Sequence, residues 1–209
     1  MIIPALLTSK REDLIQMVDL CAKFTDYVQI DIMDGEFVPS KSVTVGDLSC
    51  WKPSICCEAH LMVSDPYLWL EPFKSLGANR IIYHFEIDKD HKKIIAKIRE
   101  IGLGVGLAVN PDTEIDDFRY LVQDLDTILF MSVNPGFYGA PFIPEVLEKI
   151  KNFKEEYPQK KIGIDGGIKQ DNLLQVKQTG LDYVCIGSAI LKNDDPKMSF
   201  ENFVKLFNG

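Results

Sequence analysis

No apolar run in the 209 residues approaches the roughly 20 that a membrane span needs, so no membrane-spanning segment is expected. The start, Met1-Ile2-Ile3-Pro4-Ala5-Leu6-Leu7, lacks a basic flank and a small-residue cleavage pattern, which argues against a signal peptide. Positive charge is scarce as well: 23 Lys and Arg against 31 Asp and Glu leave a net charge of −8. Long-range repulsion then works against nucleic acid and anionic lipid, and neither is expected as a partner. The five cysteines form no C-x-x-C pair, and most sit in apolar stretches, so reduced thiols in a cytoplasmic protein are the simplest reading. No Ser- or Pro-rich linker and no low-complexity tract interrupts the chain, and no G-x-G-x-x-G opens a helix.

What the chain does have is alternation. Short β-branched runs are expected as strands over 2–7, 27–32, 55–62, 80–84, 103–109, 127–132, 160–164 and 183–186. Helical periodicity fills 11–24, 66–76, 90–101, 115–121, 143–157 and 170–178 between them. Gly77 and Gly180 stand just past the ends of two helical stretches, where a left-handed residue closes a helix most easily. Strand, helix, strand in this order demands parallel pairing through long right-handed crossovers. Eight such units without a dinucleotide fingerprint predict an α/β fold, a single (β/α)8 TIM barrel domain over 1–209.

In such a barrel the chemistry sits at the C-terminal ends of the strands. In Tyr27-Val28-Gln29-Ile30-Asp31-Ile32-Met33, side chains alternate, and the apolar set Val28, Ile30 and Ile32 suits the helix layer. Gln29, Asp31 and Met33 are therefore expected inside, with Asp31 near the mouth. The third strand places Glu58, His60 and Met62 on one side, and the seventh turns Gly163 and Asp165 inward while Ile162 and Ile164 face out. Taken singly, Asp31 could be a turn former, His60 a core histidine and Asp165 part of a D-G turn. Two carboxylates across one pocket suit proton removal from one face of a flat intermediate and return to the other, which inverts a stereocentre.

Glycine clusters follow three successive strands: Asn134-Pro135-Gly136-Phe137-Tyr138-Gly139, Asp165-Gly166-Gly167 and Gly187-Ser188-Ala189. Their backbone N–H groups can hold a phosphate without a lysine, which lets an acidic protein take an acidic substrate.

IDIMDGEFVP (30–39), AHLMV (59–63), MSVNPGF (131–137), IDGGI (164–168) and GSAI (187–190) together resemble the signature segments of the ribulose-phosphate 3-epimerase family, in the family's order along nearly the whole chain. The resemblance implies an isomerase of carbohydrate metabolism that epimerises a small phosphorylated ketose such as D-ribulose 5-phosphate through a cis-enediolate. It implies a divalent metal, commonly zinc, held by residues matching Asp31, His60 and Asp165, with the two aspartates also serving as acid and base. It further implies a floor of methionines matching Met33, Met62 and Met131, a phosphate cradle around Gly136, Gly139, Gly166, Gly167, Gly187 and Ser188, and assembly as a homo-oligomer.

The chain departs from that pattern at several positions. Gln29 stands where the family has a fourth, histidine ligand; its carbonyl oxygen is a weaker and harder donor, which turns the site toward manganese, iron, cobalt or magnesium. Ala5 replaces a serine, Ala140 a glutamine and Tyr138 a glycine. These losses keep open an alternative, a non-catalytic or low-activity sugar-phosphate-binding paralogue with a weakened metal site. Aldol or decarboxylation chemistry is disfavoured because it wants a lysine at a strand's end, whereas Lys161 lies at the start of its strand. His84 is expected to be structural or to stand behind the site, and His91 to lie on a solvated helix face.

Overall fold

The computed structural model describes residues 1–136 and 140–209. Among these residues the strands β1 (Ile2–Leu6), β2 (Tyr27–Met33), β3 (Cys56–Met62), β4 (Arg80–His84), β5 (Gly104–Val109), β6 (Thr127–Met131), β7 (Lys161–Asp165) and β8 (Tyr183–Ile186) pair in sequence order. All pairs are parallel and β8 returns to β1, which closes the barrel. Closure removes every sheet edge, so no ladder N–H is left for another chain.

The outer layer holds α1 (Arg11–Cys21), α2 (Val45–Leu48), α3 (Tyr67–Leu76), α4 (His91–Glu100), α5 (Ile115–Phe118), α6 (Val146–Glu156), α7 (Leu173–Lys177), α8 (Ser188–Leu191) and α9 (Pro196–Asn208). Their starts and stops follow local chemistry. The Asp90 and Asp195 side chains accept hydrogen bonds from the backbone N–H groups of Lys93 and Met198, capping α4 and α9. Gly77 ends α3 in the left-handed conformation with φ of 80°. The helical pattern expected from 143 begins only at Val146, because the ring of Pro144 disfavours helical backbone at Ile143. The expected helix over 115–121 is instead a single α turn that tightens into a 3₁₀ turn, Arg119–Asp124. The segments α2, α8 and α9 lie outside the expected helical stretches.

The core divides by strand parity. Val28, Ile30, Ile32, Cys57, Ala59, Leu61, Ile162 and Ile164 join the helices in the main apolar layer. Burying a large aliphatic side chain of this kind contributes about 1.5–3 kcal/mol. Ile3, Ala5, Ile82, Ala108, Leu129, Tyr183 and Cys185 make a separate cluster inside the barrel. The inside is unusually polar: Gln29, Glu58, His60, His84 and Thr127 are all fully buried. Glu58 accepts hydrogen bonds from Arg80 and from the Tyr27 hydroxyl, and the Arg80 guanidinium lies 5.2 Å over the Tyr183 ring, which seals the end of the barrel where the strands begin. The cysteines are unpaired, with Cys21, Cys57 and Cys185 buried and Cys50 and Cys56 exposed. No helix among the described residues is long and apolar enough to cross a membrane.

Candidate active site

Register assembles the site at the other end of the barrel. On β2 and β3, Asp31 pairs with His60 and Met33 with Met62, while on β7 Asp165 pairs with Met131 of β6 and Cys185 of β8. Asp31 and Asp165 therefore come from strands separated by β1 and β8, yet both turn inward to one pocket. His60 Nδ1 lies 3.1 Å from Asp31 Oδ1 and 3.4 Å from Asp165 Oδ2. One donor atom from each of Asp31, His60 and Asp165 falls within 4.8 Å of the others. Two carboxylates and an imidazole nitrogen, converging and almost wholly buried, are a donor set suited to a divalent cation, and three protein ligands leave positions open for substrate.

Gln29 completes the cluster from below. Its Nε2 donates to Asp31 Oδ1 at 2.8 Å and to Asp165 Oδ2 at 2.6 Å, and its Oε1 accepts from Cys185 Sγ at 3.0 Å. Behind His60, Nε2 meets His84 Nε2 at 3.0 Å, and His84 Nδ1 meets Glu86 Oε2 at 3.1 Å. His91 packs differently from a solvated residue: its ring stacks on Phe85 at 4.9 Å between centroids.

Burial and partners set the protonation states. Burial, aided by the nearby charge of Asp165, raises the Asp31 carboxyl to about 6 against the hydrogen bonds from His60 and Gln29. Burial opposes charge on His60, but hydrogen bonds and attraction from Asp165 and Asp31 outweigh it and push the imidazole up to about 9. Burial holds His84 below its ordinary value despite its bond to Glu86, and the charge of His60 adds to that.

The pocket above these groups has a volume of about 120 Å³. Met33, Met62 and Met131 line it beside Ala5, and Gly136, Gly166, Gly167, Gly187 and Ser188 form part of its wall. Gly167 has φ of 63°, and a Cβ there would sit 2.9 Å from the Phe142 backbone, so the loop after β7 can run this close only with glycine. Gly187 precedes the short helix α8, whose first N–H groups lack helical partners. Gly139 and its neighbours Phe137 and Tyr138 lie outside the described residues. Lys169, Cys185 and Glu86 join the site without having been assigned to it from the sequence, whereas His84 stands behind it, one of the two places expected for it. The alternation that turns Arg80 and Ile82 inward does the same for His84, and Tyr183 predicts Cys185; Lys169 reaches the pocket from a loop, where no periodicity signals it.

The chain is thus a closed (β/α)8 barrel with two acids and a histidine gathered at the C-terminal ends of its strands, the end at which barrel enzymes carry their chemistry. The chain belongs to the ribulose-phosphate 3-epimerase family, whose model matches residues 1–191. It is 37% identical over 175 residues to the ribulose-phosphate 3-epimerase of Synechocystis sp., covering 79% of this chain and 75% of that one. To the enzyme of the same name from Eremothecium gossypii it is 31% identical over 185 residues, covering 82% and 77%. Among solved structures, KGPDC from Streptococcus mutans superposes with a TM-score of 0.75 at 14% identity over 99% of this chain and 96% of that one. The 3-hexulose-6-phosphate synthase from Salmonella typhimurium does so at 0.73 and 18%, over 99% and 98%. These two share the fold. Family membership makes the protein an isomerase, a pentose-phosphate epimerase.

Proposed function

We propose that this protein, acting as one domain, interconverts D-ribulose 5-phosphate and D-xylulose 5-phosphate by moving a proton at C3 between Asp31 and Asp165. The observation that carries this reading is the convergence of the two buried carboxylates, from separate walls of the barrel, on a single pocket. One carboxylate removes the proton from one face of the ketose. The other, protonated, delivers a proton to the opposite face of the planar enediolate, and the two exchange roles in the reverse direction. The elevated Asp31 keeps its proton to about pH 6, which suits a group that must both give and take one.

Asp31, His60 and Asp165 would hold a divalent cation, zinc in the first place, with manganese, iron, cobalt or magnesium as substitutes. Such a cation supplies Lewis-acid stabilisation of the negative charge that builds on the substrate oxygens. Met33, Met62 and Met131 give the flat intermediate an apolar bed that keeps water from competing for its protons. Backbone N–H groups around Gly136, Gly166, Gly167, Gly187 and Ser188 take the phosphate, with the Lys169 side chain at the rim. Assembly as a homo-oligomer is part of the same proposal, as the family resemblance implies.

Solvent deuterium should enter C3 of ribulose 5-phosphate when metal-loaded protein is present, and Asp31→Asn or Asp165→Asn should abolish the exchange. Absence of exchange across pentulose and hexulose phosphates would remove the epimerase assignment.

A further inference from the structure

Gln29 faces the metal-binding donors with the wrong end for a ligand. Its nitrogen, not its oxygen, lies 2.8 Å from Asp31 Oδ1 and 2.6 Å from Asp165 Oδ2, and also 3.4 Å from His60 Nδ1. The two distances to the carboxylates are hydrogen-bond lengths. A carbonyl oxygen placed as close to two carboxylate oxygens would only be repelled, so the donor side of the amide belongs there. Both N–H bonds are used, one per carboxylate, and the amide nitrogen therefore sits at the focus of the three groups that would surround a cation.

The other end explains why the amide keeps this orientation. Oε1 accepts from the Cys185 thiol at 3.0 Å, and Cys185 is buried on β8. Burial, with the charges of Asp165, Glu58 and Asp31 adding, pushes the thiol well above its ordinary value, so it remains a donor at physiological pH. Rotating the carboxamide by half a turn would trade that bond for an N–H aimed at a weak sulfur acceptor. It would also bring an oxygen against two acids.

We infer that the Gln29 carboxamide, held in place by Cys185, competes with the divalent cation for Asp31 and Asp165, so that metal loading requires this amide to leave both carboxylates. The inference rests on the metal-binding reading of the site given above. In the metal-free protein the amide screens two acids that would otherwise repel each other, and the same bonds subtract from metal affinity. Half-occupancy by metal therefore falls at a higher free cation concentration than the same three donors would give without the amide.

The test is a zinc titration against a chromophoric chelator, using protein stripped of metal, for the parent chain, Gln29→Ala, Cys185→Val and Cys185→Ser. Losing a hydrogen bond to a charged acceptor from the metal-free state is comparable to a factor of about ten. Gln29→Ala should therefore bind zinc about tenfold tighter or more. Cys185→Val, which frees the amide to turn, should tighten binding by a smaller factor, and Cys185→Ser, which keeps a donor, should match the parent. Melting temperatures give a second readout: Gln29→Ala should melt lower than the parent in chelator and gain more from added zinc. Zinc affinity that falls or stays the same in Gln29→Ala would show Gln29 to be a ligand or a bystander and overturn the inference. If Gln29→Ala does not fold, Cys185→Val decides, and unchanged or weaker binding there overturns the inference equally. Failure of the parent and every variant to bind zinc or manganese would defeat the metal-binding reading itself, a result distinct from metal binding with the wrong order of affinities.

Discussion

His60 Nε2 lies 3.0 Å from His84 Nε2, with the two rings 24° apart and their centroids separated by 5.1 Å. Only one of the two nitrogens can carry the proton they share. His84 Nδ1 faces Glu86 Oε2 at 3.1 Å, and a carboxylate accepts, so the His84 proton sits on Nδ1 and its Nε2 is bare. His60 must then donate from Nε2, which turns the Nδ1 lone pair of its neutral form toward Asp31 and Asp165. Glu86 is fixed in turn by the Asn110 N–H at 2.7 Å and by the Thr113 hydroxyl.

From that chain follows a loss of metal affinity when it is cut. Partners behind a metal-bound histidine hold its tautomer and typically matter by about 10- to 100-fold in affinity. His84→Phe should weaken zinc binding by that order, Glu86→Gln by less, and both should leave the barrel folded. Chelator competition measures the change; wild-type affinity in His84→Phe would mean that His84 only fills space.

Protonation of His60 gives metal binding a pH slope of known sign. Because its imidazole is pushed up to about 9, the metal-free protein at neutral pH carries a proton on Nδ1 that a cation must displace. Zinc affinity should rise about tenfold per pH unit toward 9 and then flatten. Calorimetry in buffers of different ionisation enthalpy should show about one proton released per metal at pH 7. For stability the sign is the reverse: a raised histidine stabilises the metal-free fold fully below its unfolded value of 6.5, and that contribution disappears as pH rises through about 9. Asp31 adds a cost that sets in as pH rises from 3.8 through about 6. Metal-loaded protein, with no proton to lose at Nδ1, should escape the alkaline decline in melting temperature. Equal declines with and without zinc would place the metal elsewhere.

Strand parity explains why so much of this is readable in the sequence. Alternation alone turns Gln29, Asp31, Glu58, His60 and Asp165 inward, because Val28, Ile30, Leu61, Ile162 and Ile164 have nowhere to go but under the helices. The same rule reaches His84, yet its role depends on a partner 24 residues away on the adjacent strand and on Glu86 beyond it, neither of which periodicity reveals. The orientation of the Gln29 amide is a side-chain torsion decided by a hydrogen bond to Cys185, 156 residues distant. The helix α9 is legible too, though it is not among the expected stretches: Phe200, Phe203, Val204 and Phe207 keep the i, i+3, i+4, i+7 spacing, behind a start spelled by Asp195 and Pro196.

The sealed end of the barrel should be intolerant of charge imbalance. Glu58 is fully buried, and its Oε1 has no hydrogen-bond partner among the described residues, so Arg80 and Tyr27 carry its whole stabilisation through Oε2. Breaking a buried pair from one side typically costs about 3–5 kcal/mol. Arg80→Met should lower stability by that order in urea unfolding, whereas Arg80→Met with Glu58→Leu should recover much of it. A single variant with parental stability would show that the pair is not carrying the charge.

Gly167 offers the sharpest check on the phosphate cradle, since two independent constraints meet there. Its φ of 63° disfavours any side chain, and a Cβ would approach the Phe142 backbone to 2.9 Å, so Gly167→Ala must shift the loop after β7 away from the pocket wall. Held strain of this kind costs about 1–3 kcal/mol, and a loop that relaxes outward takes its N–H groups off the phosphate. KM for the ketose phosphate should therefore rise about tenfold or more with a smaller change in kcat, the pattern of a lost contact made equally to substrate and transition state. Competitive inhibition by inorganic phosphate should weaken in parallel. Zinc affinity should stay at the parental value, because Asp31, His60 and Asp165 are placed by strands rather than by this loop. A fall in kcat at unchanged KM would instead assign the loop to the proton-transfer step and move the phosphate to another part of the rim.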